Sequence, residues 1–178
     1  FALLDNLLKW TRSQLGKLEA VPQPIYLSEL VEGVLEVSSI VAAGKKITIR
    51  FTSPPAKKTE VFVDIDMIKT AIRNLVSNAI KFSFNGSEIH VAVTSTNKGV
   101  RLEVIDQGIG ISEDDQCKLM NVSTHFTTFG TEHESGSGLG LLLVNEFLKL
   151  NKGQLFFNSK EGEGSTFGFI LPVRQAQA

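Results

Sequence analysis

Three groups of residues carry side chains and spacings that could do chemistry. Asn74, Asn78 and Lys81 lie four and three apart on a segment with helical periodicity, opposite its apolar stripe. Asn is a poor helix former, and a solvated face usually carries Glu, Lys or Gln instead. An Asn oxygen can join the shell of Mg²⁺, a hard ion that takes oxygen ligands and keeps some waters. A Lys can neutralise a phosphate as a point charge. The second group is Asp106-Gln-Gly108-Ile-Gly110-Ile111, a strand end followed by a glycine turn. Glycines let the backbone approach a flat ligand. A buried carboxylate there can accept from the amino group of adenine and reject guanine, which offers a carbonyl instead. The third is Gly136-Ser-Gly138-Leu-Gly140-Leu141, which opens a helix. Backbone N–H groups at a helix N-terminus make an anion site.

Each group also has a plain reading: a solvated polar face, an ordinary Asp-Gly turn, and a hinge before a helix. Two nucleotide motifs are excluded. Gly108-Ile-Gly110-Ile-Ser-Glu113 lacks the third glycine of a dinucleotide fingerprint, and no GxxxxGK[ST] pattern occurs.

These groups need elements to hold them. Apolar Ile68, Ile72, Leu75, Val76 and Ala79 predict a helix from Ile65 to about Phe82, with Asp64 as its cap. Ser28 is a plausible N-cap for an earlier helix reaching about Ala43. Strands are expected at 47–51, 60–63, 88–93 and 100–105, the last two joined by Asn97-Lys-Gly. Ser112 and Asp115 are spaced as a capping pair before a short helix. A helix from Leu139 to Leu150 stops at Asn151-Lys-Gly, and two strands near 154–159 and 165–171 close the chain. Helices alternate with hairpin-like strand pairs, so the expected class is α/β: a two-layer sandwich with a mixed, mostly antiparallel sheet covered on one face by helices.

Residues 120–137 show no periodicity and read as a lid or a surface tip. Phe126 and Phe129 within them either meet a ligand or partner, or fold back on the domain. Residues 1–19 carry two apolar stripes, which fit a bundle helix or a terminal helix lying on its own domain. Val21-Pro-Gln-Pro reads as a stiff connector.

Bulk properties set limits. The 178 residues, 42% hydrophobic, suffice for one domain with a core. A net charge of −1 gives no long-range pull toward nucleic acid or anionic lipid. The single cysteine, Cys117, allows no internal disulfide and fits a reducing compartment. No apolar run approaches the roughly 20 residues that span a bilayer. The chain opens mid-helix without Met and reads as a piece of a longer protein.

Taken together and in order, the motifs resemble those of sensor histidine kinases. Asn74-Leu-Val-Ser-Asn78-Ala-Ile-Lys81-Phe82 resembles the N box, Asp106 to Ile111 the G1 box, and Gly136 to Leu141 the G2 box. Gly164-Ser-Thr166-Phe, followed by Leu171-Pro172, resembles the closing strand pair. The resemblance covers about residues 25–173 and implies the Bergerat ATP-binding fold, with ATP and Mg²⁺ as cofactors. It gives Asn78 the metal, Asn74 and Lys81 the phosphates as catalytic residues, and Phe82 the border of the adenine. It gives Asp106 the adenine amino group. Gly108, Gly110 and Ile111 would admit the base. Gly136, Gly138, Leu139, Gly140 and Leu141 would cradle phosphate, and Thr166 would hydrogen-bond near the adenine.

It further divides the chain into 1–19, the tail of a dimerisation and phosphoacceptor helix; 20–26, a linker; 27–173, the catalytic domain; and 174–178, a tail. The implied activity is transfer of the ATP γ-phosphoryl to a histidine on that helical domain, for relay to a response-regulator receiver. The implied parent is a homodimer with no nucleic-acid partner. The implied location is cytoplasmic, which leaves room for inner-membrane anchoring of the parent and for a fused receiver.

Three features depart from the pattern. No histidine stands in a phosphoacceptor context, since His90 lies in a strand segment and His125 and His133 in the expected lid. Leu119-Met120 stands where Leu-Phe is usual, and the lid around Ser123-Thr-His125-Phe is atypical. The alternatives are an ATPase of the same fold and a degenerate signalling domain. ATPases of this fold carry a general-base Glu at the position of Asn74, and an amide cannot take a proton from water.

Overall fold

The computed structural model describes residues 18–53, 59–120, 130–132, 134 and 138–173. The expected helix over 1–19 lies almost wholly outside them, as do Phe126, Phe129, His125, His133, Gly136 and the 174–178 tail. Among the described residues the order is β1 (Gln23–Tyr26), α1 (Leu27–Gly44), β2 (Thr48–Thr52), β3 (Glu60–Val63), α2 (Ile65–Phe82), β4 (Glu88–Thr96), β5 (Gly99–Asp106), α3 (Glu113–Met120), α4 (Gly140–Leu150), β6 (Gln154–Lys160) and β7 (Gly164–Leu171).

The main sheet runs β2-β4-β5-β7-β6. Only β2 pairs in parallel, with β4; the other pairs are antiparallel. Alternation along the strands sends Val91, Leu102, Val104, Phe169 and Leu171 to one face, where all are at most 1% exposed. Helices α1, α2 and α4 cover that face, with α2 touching both of its helical neighbours. This is the two-layer α/β sandwich that the sequence predicts.

Helix α2 is the central element because its apolar residues fall on one stripe. Ile68, Ala71, Ile72 and Val76 are fully buried, and Leu75 is 1% exposed. Truncating Ile68, Ile72 or Leu75 to Ala costs about 2–5 kcal/mol. The helix begins at Asp64, as expected, and the Asp64 carboxylate accepts from the Met67 N–H at 3.0 Å. The other Asp64 carboxylate oxygen accepts from the Val21 N–H at 3.0 Å, and the Asp64 N–H donates to Asn151 Oδ1 at 2.6 Å. One capping residue thereby fixes the start of α2 against the end of α4.

The local structure differs from expectation in three places. Ser28 does not cap α1; it is buried in the first turn, and Tyr26 takes the N-cap position, where its side chain makes no capping hydrogen bond to the helix. Gln23–Tyr26, expected as a connector, pairs antiparallel with β3. Its single proline, Pro24, sits where a two-stranded edge tolerates a missing N–H. At the end of α4 the left-handed residue is Lys152, with φ 57°, rather than Gly153. Gly153 is instead held close, since a Cβ there would lie 2.9 Å from Leu171 Cδ2.

Candidate nucleotide-binding site

The site assembles where the C-terminal half of α2, the end of β5 and the start of α4 meet. Asp106 is the last residue of β5 and is only 6% exposed. Its Oδ1 accepts from the Gly108 N–H at 2.9 Å and the Ser165 N–H at 3.3 Å. Burial pushes its carboxyl up to about 6, and those two N–H groups act against that shift. A carboxyl group is thus held inside the domain with its orientation fixed by backbone.

The two turn glycines are required by the protein's own backbone. A Cβ on Gly108 would lie 2.2 Å from the Phe82 carbonyl oxygen, and the Ile109 N–H donates to that same oxygen at 3.2 Å. Gly110 has φ +65°, and a Cβ on it would lie 1.9 Å from the Lys160 carbonyl oxygen. The turn is clamped between the end of α2 and the β6–β7 hairpin. The close approach expected for a ligand is, at these positions, an approach of chain to chain. Ile111 is half-buried, and its carbonyl accepts from Gln116 Nε2 at 2.9 Å.

On α2, Asn74 and Asn78 are half-buried on the side away from the apolar stripe. Asn74 Nδ2 donates to the Thr70 carbonyl at 2.9 Å. This turns Oδ1 toward the start of α4, where it lies 3.0 Å from the place a Gly140 Cβ would occupy. The N-box residues and the glycine-rich helix start, 66 residues apart by number, are therefore adjacent in space. Gly138 has φ +69°, a conformation that favours glycine. Leu139 is 7% exposed and Leu141 packs on the core, so their side chains serve the interior and a ligand would meet backbone. Lys81 and Phe82 close α2; the Lys81 ammonium stands 4.7 Å from the Phe82 ring centroid. Burial lowers the Lys81 pKa, with Glu134 acting against that.

One expected residue falls on the wrong side. In the β5–β7 pair, Asp106 stands opposite Ser165, and Thr166 stands opposite Ile105. Residues paired this way share a face, so Thr166 looks away from Asp106. Ser165 takes the place assigned to Thr166: it is 8% exposed, and its hydroxyl lies 2.9 Å from that of Ser159. The signal was present in the sequence as the residue directly after Gly164, one strand position before Thr166 and therefore on the opposite face. His90 pairs with Ile105 and so takes the face of the sheet opposite Asp106, with Nε2 2.9 Å from Thr52 Oγ1.

The donor set fits Mg²⁺ only as a partner to phosphate. No group of three His, Cys, Asp or Glu side chains that could hold a metal occurs among the described residues. Neutral amide oxygens on one helix face, beside a helix N-terminus, suit an ion that keeps waters and bridges phosphates.

The comparisons agree with this geometry. Residues 63–175 match the family model described as "Histidine kinase-, DNA gyrase B-, and HSP90-like ATPase". The adaptive-response sensory kinase SasA of Synechocystis sp. is 30% identical over 96% of this chain and 44% of its own length. The sensor protein EvgS of Escherichia coli K12 is 28% identical over 98% of this chain and 15% of its own. The chain thus spans less than half the length of these relatives. The solved catalytic domain of histidine kinase ThkA is 26% identical, with TM-score 0.73 over 86% of this chain and 96% of that one. Full-length ShkA, solved with AMPPNP, shares the fold with TM-score 0.81 at 24% identity, over 99% of this chain and 36% of that one. The relatives are named sensor kinases and the fold is that of the histidine kinase catalytic domain. On the family match and on the site that carries its motifs, the chain belongs to the histidine kinase-, DNA gyrase B- and HSP90-like ATPase family.

Proposed function

We propose that this chain is the ATP-binding catalytic domain of a two-component sensor histidine kinase. It would donate the ATP γ-phosphoryl to a histidine on a separate helical dimerisation domain, for relay to a receiver aspartate. The observation that carries the reading is the buried, backbone-oriented Asp106 carboxyl on a turn that meets the end of α2, the helix whose Asn74 lies beside the start of α4.

Asp106 would accept from the adenine amino group, and a guanine carbonyl would meet it with no proton to share. Ser165 would stand beside Asp106 in the part given above to Thr166. Phe82 would border the base. Backbone N–H groups from Gly138 to Leu141, with Gly136 before them, would face phosphate. Asn78, supported by Asn74, would hold Mg²⁺, whose charge offsets that of the phosphates. Lys81 would add a point charge. The domain supplies placement and charge, and the nucleophile comes from outside.

Asn74 favours transfer over hydrolysis, because its amide cannot deprotonate an attacking water. As domain limits we propose 27–173 for the catalytic unit, after a linker at 20–26 and the end of a phosphoacceptor helix at 1–19, with a short tail at 174–178. We place the unit in the cytoplasm of a homodimeric parent; no described helix is long and apolar enough to cross a membrane.

The test is calorimetric titration with Mg²⁺ and a non-hydrolysable ATP analogue, repeated with GTP and with Asp106→Asn. Saturable binding of the adenine nucleotide alone, lost in the variant, supports the reading. Steady-state hydrolysis by the isolated chain, abolished by Asp106→Asn, would move the ATPase reading to first place. Absence of binding at millimolar ligand would favour a degenerate signalling domain.

A further inference from the structure

Lys45 lies outside every motif discussed so far. It follows α1 directly, and its side chain is only 8% exposed. Its ammonium meets the Ile80 and Lys81 carbonyl oxygens, both at 3.1 Å, Thr131 Oγ1 at 2.6 Å and Glu134 Oε1 at 3.0 Å. A buried cation persists only where it is paired and its N–H groups find acceptors. Here four acceptors share three hydrogens.

The acceptors come from two places. The carbonyls belong to the last turn of α2, which lacks helical partners and carries the negative end of the helix dipole. Thr131 and Glu134 belong to the segment that leads, within a few residues, to Gly138. That segment is fastened at several points. The Thr131 N–H donates to the Lys81 carbonyl at 3.1 Å, and Thr131 Oγ1 donates to the Ser83 carbonyl at 2.8 Å. The Gly130 N–H donates to the Glu134 carbonyl at 3.0 Å. A Cβ on Gly130 would sit 2.6 Å from Lys81 Cγ, so the segment lies directly on Lys81. A helix cap alone would need only the two carbonyls. The ion pair and the Thr131 contact join the end of α2 to a second, distant stretch of chain through one ammonium.

We propose that Lys45 is a positioning residue for the nucleotide site. It latches the chain at Thr131 and Glu134 to the end of α2, and so holds that chain directly on Lys81, the residue proposed above to meet phosphate. The proposal rests on the adenine-nucleotide reading above for what the placing of Lys81 serves, while the latch itself is independent of any ligand.

Two measurements on the 178-residue chain test it: amide exchange without nucleotide, and titration with a Mg²⁺–ATP analogue beside adenosine, which has no phosphates. In Lys45→Met the Gly130 and Thr131 amides should exchange at least about tenfold faster, and ATP-analogue affinity should fall about tenfold, the scale of one lost charge-assisted hydrogen bond. Adenosine affinity should stay within about twofold. Lys45→Arg should restore most of the loss. Glu134→Gln, which leaves the α2 cap in place, should show the same split more weakly and remains informative if Lys45→Met does not fold. Unchanged exchange at Thr131 overturns the latch even where nucleotide binds normally. Equal losses of ATP analogue and adenosine overturn the positioning role and leave Lys45 a structural cap. Wild-type chain that binds no adenine nucleotide, with Thr131 still deprotected in Lys45→Met, overturns the nucleotide reading and the positioning role with it.

Discussion

Asp106 and Ser165 stand opposite each other in the β5–β7 pair, and the Ser165 N–H donates to the Asp106 carboxylate at 3.3 Å. The pairing fixes a carboxylate oxygen inside the domain, and its energetic consequence is a cost. A carboxyl held at about 6 against an ordinary 3.8 disfavours the ionised folded state by up to about 3 kcal/mol. Because the folded value is the raised one, this group favours folding fully below pH about 4. That contribution fades as pH rises through about 6. Asp106→Asn keeps an oxygen for the Gly108 and Ser165 N–H groups and removes the ionisation. We expect the variant to gain about 1–3 kcal/mol over wild type at pH 8 and much less at pH 4.5, read by urea unfolding. An equal difference at both values would mean that ionisation of Asp106 is not what the variant relieves.

The same carboxyl predicts a pH dependence of base recognition. Adenine would donate to the ionised form, so binding should release a proton wherever Asp106 is still protonated. Affinity for adenosine should therefore rise between pH 5 and 7, by at most about tenfold per unit below the midpoint near 6. Adenosine is the right probe because it has no phosphate titrating in that range. A flat profile would place the base elsewhere.

Ser165 and Thr166 separate the two sides of the sheet. Ser165→Ala removes a hydroxyl beside Asp106 and should weaken adenosine binding about threefold to tenfold, the worth of one hydrogen bond. Thr166→Val should leave it within about twofold. Calorimetry on both variants decides; a larger effect at Thr166 would mean that ligand binding changes the β5–β7 register.

Most of this fold is readable from periodicity. Ile68, Ile72, Leu75 and Val76 mark α2 because a helix stripe and a helix cap at Asp64 coincide, and both signals are local. What fails to read are relationships set by pairing. Whether Ser165 or Thr166 faces Asp106 depends on the β5–β7 register, and a shift by one residue exchanges the faces. Gly108 and Gly110 look like ligand-contact glycines in sequence. Their neighbours, the Phe82 and Lys160 carbonyls, come from elements that only the tertiary structure brings together. Lys45 gives no signal at all, since its partners lie 35 to 89 residues away.

Asn78 carries the prediction for the metal. With Mg²⁺ bridging it to phosphate, chelation should cost wild type about tenfold or more in ATP-analogue affinity, the penalty of leaving phosphate charge unbalanced. Asn78→Ala should bind the analogue weakly with or without Mg²⁺, while adenosine affinity stays near wild type. A variant that keeps its full Mg²⁺ response would remove Asn78 from the metal's shell.

Two glycines give opposite stability effects and test the turn that holds Asp106. Gly33 lies on an exposed face of α1, where a Cβ meets nothing within 4 Å. Gly33→Ala should stabilise the domain by about 0.5–1 kcal/mol, because Ala loses less backbone entropy in a helix. Gly110 combines φ +65° with a Cβ position 1.9 Å from the Lys160 carbonyl oxygen. Neither rotation of a side chain nor a small shift relieves contact with backbone on the facing hairpin. Gly110→Ala should therefore destabilise by at least about 2 kcal/mol and weaken adenosine binding as well, since the same turn places the Gly108 N–H that orients Asp106. Thermal unfolding of both variants beside wild type reads the signs directly. A neutral Gly110→Ala would mean that the β6–β7 hairpin can withdraw from the turn without cost.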